Sequence, residues 1–145
     1  MTTIRELRTE DRDAWAPLWR GYLDFYRAEI ADEVTERTFA RVSGGEDGFH
    51  GIVAVDAYGT LVGFAHAVFH PATWSAGPYC YLEDLYVERA GRGTGAGRAL
   101  IEAVYAEADR RGAARVYWHT QEYNGAARSL YDTLAHRTSF VMYVR

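Results

Sequence analysis

Two arginines enclose three glycines within seven residues near the middle of the chain, in the segment Arg92-Gly93-Thr94-Gly95-Ala96-Gly97-Arg98. Glycine lets a backbone approach a ligand without an intervening Cβ atom. If the segment opens a helix, its first turn also carries N–H groups without partners and a partial positive charge. Two arginines at that end are repelled by the helix dipole unless an anion binds there. The segment therefore predicts a site for a phosphate or pyrophosphate group.

The flanking residues predict the strand and the helix that position this segment. Residues 79–88 are rich in aromatic and other strand-forming residues and follow a glycine and a proline. After the segment, apolar side chains recur on one helical face. They are Leu100, Ile101, Val104, Tyr105 and Ala108. The segment lacks the Gly-Lys-Ser/Thr of a Walker loop, and Arg98 stands where the dinucleotide-binding fingerprint has its third glycine.

The pattern Arg-x-x-Gly-x-Gly, formed by Arg92, Gly95 and Gly97, resembles the acyl-CoA pyrophosphate loop of the GNAT-type N-acetyltransferases. The preceding residues 82–87 are similar to the fourth strand of that family, and of its polyamine and histone/polyamine acetyltransferases in particular. The resemblance extends through Tyr131. It implies the α/β (α+β) class and the GNAT-like fold, a mixed, mostly antiparallel twisted sheet with helices on both faces. It also implies acetyl-CoA as the acyl donor.

The resemblance implies the catalytic side chains as well. Glu83 matches the strand-four carboxylate that polyamine acetyltransferases use as a base, usually through a water molecule. Consecutive strand residues face opposite sides, but this family often has a β-bulge here, so Asp84 is an alternative base. Tyr131 matches a tyrosine whose hydroxyl lies near the coenzyme sulfur. A phenol and a thiol have pKa values of ~10 and ~8.5, so proton transfer between them is not steeply uphill.

The coenzyme site implied by the resemblance has three parts. The loop 92–98 would hold the pyrophosphate through its backbone. Freed backbone groups of strand four would bind the pantetheine arm and polarise the thioester carbonyl, and these belong to Leu85, Tyr86 and Val87. In the last helical motif, Asn124 would contact the pantetheine or cap its helix, and Tyr131 completes the set.

An amphipathic helix with an aromatic face is predicted near the N-terminus, because apolar residues recur at three- and four-residue spacing from Trp15 to Tyr26. Core packing is one interpretation of such a face. The other is an acceptor pocket, since aromatic rings and carboxylates both attract ammonium groups and the family places its first helices beside the acceptor. The candidate acceptor-binding residues are Trp19, Tyr22, Tyr26, Glu29, Glu83 and Trp118.

The remaining periodicities complete a predicted order of β-α-α-β-β-β-α-β-α-β. The second helix is expected at 32–42, a hairpin at 50–56 and 61–69, a short strand at 114–120, a helix at 124–135 and a closing strand at 139–144. Relatives in the family carry a further strand, so the closing strand leaves a sheet edge that a second subunit could cover. This predicts a homodimer.

The bulk composition predicts one ordinary globular domain over residues 1–145, with 48% hydrophobic and 25% charged residues. The net charge of −4 argues against nucleic-acid binding and mildly favours cationic acceptors. No apolar run is long enough to span a membrane, and the single cysteine, Cys80, fits a reducing cytoplasm. The five histidines have no zinc-like spacing, so no metal is predicted.

The expected function is transfer of an acetyl group from acetyl-CoA to a primary amine of a small molecule, by direct attack in a ternary complex. The acceptor would be a polyamine, an amino acid or a related metabolite. Two alternatives stay open: acetylation of a protein lysine or N-terminus, and a sensor domain that binds acyl-CoA without turnover. Retention of Glu83 and Tyr131 favours catalysis, and the small size favours small amines.

Overall fold

The computed structural model describes all of residues 1–145, which form five strands and four α-helices in the order β-α-α-β-β-β-α-β-α. The strands are β1 (Thr3–Glu6), β2 (Phe49–Val55), β3 (Leu61–His70), β4 (Tyr79–Val87) and β5 (Arg115–Tyr117). The helices are α1 (Arg12–Phe25), α2 (Asp32–Gly44), α3 (Ala96–Arg110) and α4 (Gly125–Leu134). The first nine predicted elements are therefore confirmed, with boundaries that shift by a few residues.

The strands form one sheet in the order β1-β2-β3-β4-β5. The first four pair antiparallel, and β4 pairs parallel with β5. A parallel pair needs a crossover, and α3 supplies it. The mixed, mostly antiparallel sheet predicted from the resemblance is thus confirmed.

The predicted closing strand at 139–144 is wrong, because residues 135–145 form no helix or strand. Phe140 to Val144 are between 69% and 91% exposed. This run has the β-branched and aromatic residues that favour strands, but such a preference depends on pairing and packing with neighbours, and these residues pair with no strand of this chain. Only three residues of β5 lie in the sheet, and its outer edge has no partner in this chain.

Two apolar cores lie on the two faces of the sheet. One packs α3 against β2, β3 and β4 through side chains such as Leu100, Ile101 and Leu82. The other packs α1 and α2 against the opposite face, around the fully buried Trp15 and Phe64. No helix is long and apolar enough to cross a membrane.

Two irregularities of β4 prepare the site. Across from β3, His66 pairs with Asp84 and Ala67 pairs with Leu82, so Glu83 is the extra residue of a β-bulge. On the other side, β5 pairs only with residues 79–81, and β4 continues for six residues beyond that pairing. β4 and the edge strand β5 therefore part halfway along β4, as the resemblance implied.

Candidate active site

A row of free backbone donors opens α3. Arg92 donates its N–H to Arg89, and the first bond of the helix runs from Ala99 N–H to the carbonyl oxygen of Gly95. The N–H groups between them, from Gly93 to Arg98, have no acceptor within the protein. Such a row at a helix N-terminus binds anions, so the chain itself leaves the predicted pyrophosphate site free.

The three glycines of this loop are needed for different structural reasons. Gly93 and Gly95 adopt φ values of 78° and 85°, which other residues rarely reach, and a Cβ atom on either would meet open space. Gly97 lies inside the helix, where a Cβ atom would lie 3.3 Å from Leu130 Cδ2. Gly93 and Gly95 thus shape the loop, whereas Gly97 lets α3 approach α4.

The two arginines of the loop also differ. Arg92 Nε donates to the carbonyl oxygen of Val87 at 2.9 Å, and its other four N–H bonds have no acceptor in the chain. Arg98 Nη2 donates to Thr133 Oγ1 at 2.7 Å, and its Nη1 lies 3.9 Å from Glu102. Each arginine thus makes one hydrogen bond, but only Arg98 has a carboxylate beside it. Arg92 is therefore the arginine without a carboxylate partner, which favours it for an anion, and Arg98 ties α3 to α4.

Glu83 and Tyr131 line one small cleft, with a cavity volume of about 20 Å³. The cleft lies where β4 and β5 part. Its other lining residues are Tyr22, Tyr26, Leu82, Leu85, Trp118 and His119. Of the predicted acceptor-binding residues, Tyr22, Tyr26, Glu83 and Trp118 are thus brought together here. Apart from Glu83, no carboxylate lines the cleft.

The environment of the cleft disfavours ionisation of both proposed catalytic groups. Partial burial raises the pKa of Glu83, and the negative charge of Asp84 raises it further. No group in the chain donates a hydrogen bond to Glu83. Burial also raises the pKa of Tyr131, whose ring packs edge-on against Trp118 at 5.4 Å. A poised carboxyl group and a protonated phenol therefore face one cavity.

Asp84, the alternative base, is held by the protein. Its Oδ1 accepts from the Tyr22 hydroxyl at 2.8 Å, and its Oδ2 lies 2.9 Å from His66 Nδ1. The other ring nitrogen of His66 accepts from Trp15 Nε1 at 3.1 Å. Because an indole N–H can only donate, His66 carries its proton on Nδ1 and donates it to Asp84. Both oxygens of Asp84 are therefore engaged within the chain.

Two of the predicted acceptor-binding residues lie elsewhere. Trp19 requires a correction: it is 7% exposed, stacks on Trp15 at 5.5 Å and donates its Nε1–H to Thr35. It is a core residue behind the cleft. Glu29 is exposed in the connection between α1 and α2 and lines neither this cleft nor the cavity beside it.

A second, wider cavity adjoins the cleft and shares the wall residue Tyr26 with it. Its cavity volume is about 520 Å³, and its lining residues are Phe25, Tyr26, Arg27, Gln121, Tyr123 and Asn124. Asn124 occupies the N-cap position of α4, but its side chain does not cap the helix and donates instead to Thr120 at 3.4 Å. The predicted helix-capping role of Asn124 is therefore wrong, and its contact with pantetheine stays a prediction.

Sequence reasoning missed His66, Trp15 and His119 as parts of the site. His119 lines the cleft, and its Nδ1 lies 3.2 Å from the Tyr81 hydroxyl. Trp15 and His66 are separated by 51 positions and meet only through the pairing of β3 with β4 and the packing of α1 on that sheet face. Helical spacing marks Trp15 as part of an apolar face, but no local pattern indicates that it contacts His66.

A group of titratable side chains, two of them buried, lies at the other end of α3. Ligand atoms of Glu6, His50 and Glu107 lie within 4.8 Å of one another, a proximity that sequence spacing did not predict. Glu107 accepts from both Arg110 and Arg111. Burial opposes its ionisation, but these hydrogen bonds prevail and lower its pKa. The group is therefore an internally neutralised ion-pair cluster.

Cys80 carries no activated thiol. It is fully buried in the core on the α3 face of the sheet, and burial raises its pKa to about 11. A reactive cysteine needs the opposite conditions, namely exposure and a lowered pKa.

The sheet with parted strands, the free donor loop and the cleft between them are the features of an acyl-CoA-binding fold. The sequence profile of the Acetyltransferase (GNAT) family matches residues 5–135. The chain belongs to this family. It is accordingly an acyl-CoA-dependent N-acetyltransferase, and acetyl-CoA is its acyl donor.

Individual relatives agree with this assignment. The chain is 38% identical over 143 residues to the D-amino-acid N-acetyltransferase HPA3 of Saccharomyces cerevisiae, covering 98% of this chain and 89% of that protein. It is 30% identical over 141 residues to the thialysine N-epsilon-acetyltransferase of Mus musculus, covering 92% and 82%. Among solved structures, AAC(6')-Iy in complex with a CoA bisubstrate analogue superposes with a TM-score of 0.86 at 20% identity, covering 100% and 97%, and shares the fold.

Proposed function

We propose that this N-acetyltransferase acts on the primary amine of a small molecule, such as an amino acid, a polyamine or a related metabolite. The cleft beside Glu83 is narrow and lined by aromatic rings, and the only carboxylate facing it is Glu83. Such a cleft fits one ammonium group on a small body. The relatives named for D-amino acids and thialysine act on acceptors of this size.

The coenzyme would be held by the loop before α3. Its unpartnered N–H groups, together with the free donors of Arg92, fit a pyrophosphate. Where β4 leaves β5, the backbone of Leu85, Tyr86 and Val87 lies beyond the last paired residue, so its outward groups are open to a pantetheine arm. The bound coenzyme supplies the thioester that is cleaved.

Glu83 is proposed as the base that receives the amine proton. An alkylammonium group with a pKa of about 10 must lose a proton before its nitrogen can attack. Glu83 has no partner in the chain, and its raised pKa brings it closer to a proton-accepting role at neutral pH. Asp84 makes two hydrogen bonds within the protein and is less suited. The bulge exposes Glu83 to the cleft while Asp84 stays anchored.

Tyr131 is proposed as the acid. Once Glu83 has taken the ammonium proton, the free amine attacks the thioester. As the new C–N bond forms and the C–S bond breaks, the phenol proton goes to the leaving sulfur, and the second proton lost by the nitrogen restores the phenol. The raised pKa of Tyr131 keeps it protonated at neutral pH. Its hydroxyl has no hydrogen-bond partner within the chain, so it is free to donate into the cleft.

The single observation that carries the proposal is the presence of Glu83 and Tyr131 in one cleft beside a free anion-binding loop. The test is thiol release from acetyl-CoA against a panel of amino acids, polyamines and lysine-containing peptides. Release with small amines only is the expected result. Release with peptides only would favour a protein acetyltransferase, and tight coenzyme binding without release would favour a sensor.

We also propose that the protein is a homodimer. The outer edge of β5 has no strand beside it, and the apolar run from Phe140 to Val144 is exposed. An unpaired edge and an apolar extended segment are both readily covered by a second copy. Sedimentation velocity across a wide concentration range should detect a dimer, and a monomer at all concentrations would overturn this proposal.

A further inference from the structure

Arg27 ends helix α1 in a conformation that glycine normally supplies. Its φ is 53°, in the left-handed region. Arg27 N–H bonds back to Asp24, and Ala28 N–H bonds back to Leu23, at 3.0 and 2.9 Å. These two bonds define the Schellman motif, whose left-handed position strongly favours glycine. A residue with a Cβ atom is strained there.

Helix α3 provides a matched comparison within the same chain. There Gly112 bonds back to Asp109, Ala113 bonds back to Ala108, and the left-handed residue is Gly112 with a φ of 68°. Helix α2 likewise ends at Gly45, with a φ of 70°. Of these three helix ends, only α1 carries a charged side chain at the position that glycine favours.

Arg27 lines the wider cavity beside the cleft. Arg27 is the only charged residue among the six that line this cavity. No carboxylate of the chain lies within 4.0 Å of its guanidinium group, and that group makes no hydrogen bond within the protein. The neighbouring walls are the rings of Phe25, Tyr26 and Tyr123 and the amides of Gln121 and Asn124.

We propose that Arg27 is a specificity-determining residue that binds the carboxylate of an α-amino acid acceptor. This inference rests on the proposed function, since it assumes that the acceptor amine lies in the cleft at Glu83. The two cavities share Tyr26, with one acidic side chain in the smaller and one basic side chain in the larger. An acceptor with both an ammonium and a carboxylate group matches this pair of charges, whereas a polyamine would place a cation beside Arg27.

The test compares two acceptors that differ only in the carboxylate: phenylalanine, as each enantiomer, and 2-phenylethylamine. In Arg27→Gly, kcat/KM for phenylalanine should fall roughly tenfold, as expected for loss of a charge-assisted contact. The value for 2-phenylethylamine should stay within about twofold of the wild type. KM for acetyl-CoA should be the same in Arg27→Gly and the wild type. If Arg27 instead bound a phosphate of the coenzyme, its loss would raise KM for acetyl-CoA. Equal losses for both acceptors would overturn the inference.

Two controls separate the possible failures. Glycine suits the left-handed position, so the Tm of Arg27→Gly should equal or exceed that of the wild type, which excludes misfolding as the cause of a loss. Arg27→Lys should retain part of the preference for phenylalanine.

Calorimetric binding of phenylalanine to the complex of the protein with coenzyme A gives a measurement that does not depend on turnover. Equal affinities in wild type and Arg27→Gly overturn the inference alone, and absence of thiol release with every amine overturns the proposed function alone.

Discussion

His66 Nδ1 lies 2.9 Å from Asp84 Oδ2 at a site where the histidine is 1% exposed. The opposite ring nitrogen accepts from Trp15, so the ring can donate only to Asp84. Tyr22 donates to the other oxygen of that carboxylate. This arrangement holds a negative charge directly behind the bulge and leaves Glu83 as the only carboxylate without a partner at the cleft. Of the two adjacent acids, Asp84 is thus held in place by hydrogen bonds, and Glu83 is free to accept a proton from the acceptor.

Asp84→Asn should move the acid limb of the pH profile to lower pH. The negative charge of Asp84 is one of the causes that raise the pKa of Glu83, so its removal lowers that pKa. Glu83 then stays deprotonated to a lower pH. The measurement is kcat/KM for the acceptor from pH 5 upward. Tyr22→Phe removes one hydrogen bond from Asp84 without removing its charge. The acid limb of the pH profile of Tyr22→Phe should therefore stay at the wild-type pH. A lower rate with an unmoved limb in Asp84→Asn would assign Asp84 a structural role only.

Glu83→Gln should lower kcat by about a hundredfold or more, within the range usual for general-base catalysis. The amide cannot accept a proton, so only the small fraction of free amine reacts and activity appears at higher pH. Coenzyme A affinity, measured by calorimetry, should be nearly unchanged, because Glu83 lies outside the anion-binding loop. If Glu83→Gln kept the wild-type kcat, Glu83 would not be the base.

The sequence predicted the parts of the site that are local. The loop from Arg92 to Arg98, the strand before it and the helix after it follow from composition and spacing. The bulge at Glu83 was expected only from the resemblance. Strand alternation by itself predicts that Glu83 and Asp84 face opposite sides of the sheet, and it gives no sign of an extra residue. The network of Asp84, His66 and Trp15 could not be predicted, since it depends on how β3 registers with β4.

The aromatic stripe of α1 shows where periodicity reaches its limit. Spacing identified the face correctly, but one face contacts two environments along its length. Trp15 and Trp19 pack in the core near the start and middle of the helix, whereas Tyr22 and Tyr26 reach the cleft near its end. A helical pattern gives direction around the axis and says nothing about what lies opposite at each turn.

Tyr131→Phe should lower kcat by roughly tenfold to a hundredfold while acceptor KM changes little, because the phenol is needed only as sulfur departs. Because burial raises the pKa of Tyr131 above that of an ordinary tyrosine, the wild type should not lose activity through this group at moderately alkaline pH. Tyr105→Phe is the matched control. Its hydroxyl donates to the carbonyl oxygen of Leu134 at 2.9 Å, so its loss should cost about 1 kcal/mol of stability and leave kcat intact. Equal kcat in the Tyr131→Phe variant and the wild type would exclude the acid role.

Arg92→Ala and Arg98→Ala should differ in their effect on coenzyme binding, although both arginines stand in the same loop. Arg92 is fastened to Val87 through Nε and keeps its other donors free, so its loss should raise the Kd for coenzyme A about tenfold. Arg98 already donates to Thr133, and its loss should change the Kd by less than about threefold while loosening the contact between α3 and α4. Calorimetry at two salt concentrations checks both, because the contribution of Arg92 should shrink as ionic strength rises. If Arg98→Ala weakened binding as much as Arg92→Ala, both arginines would share the anion, and the preference for Arg92 would be overturned.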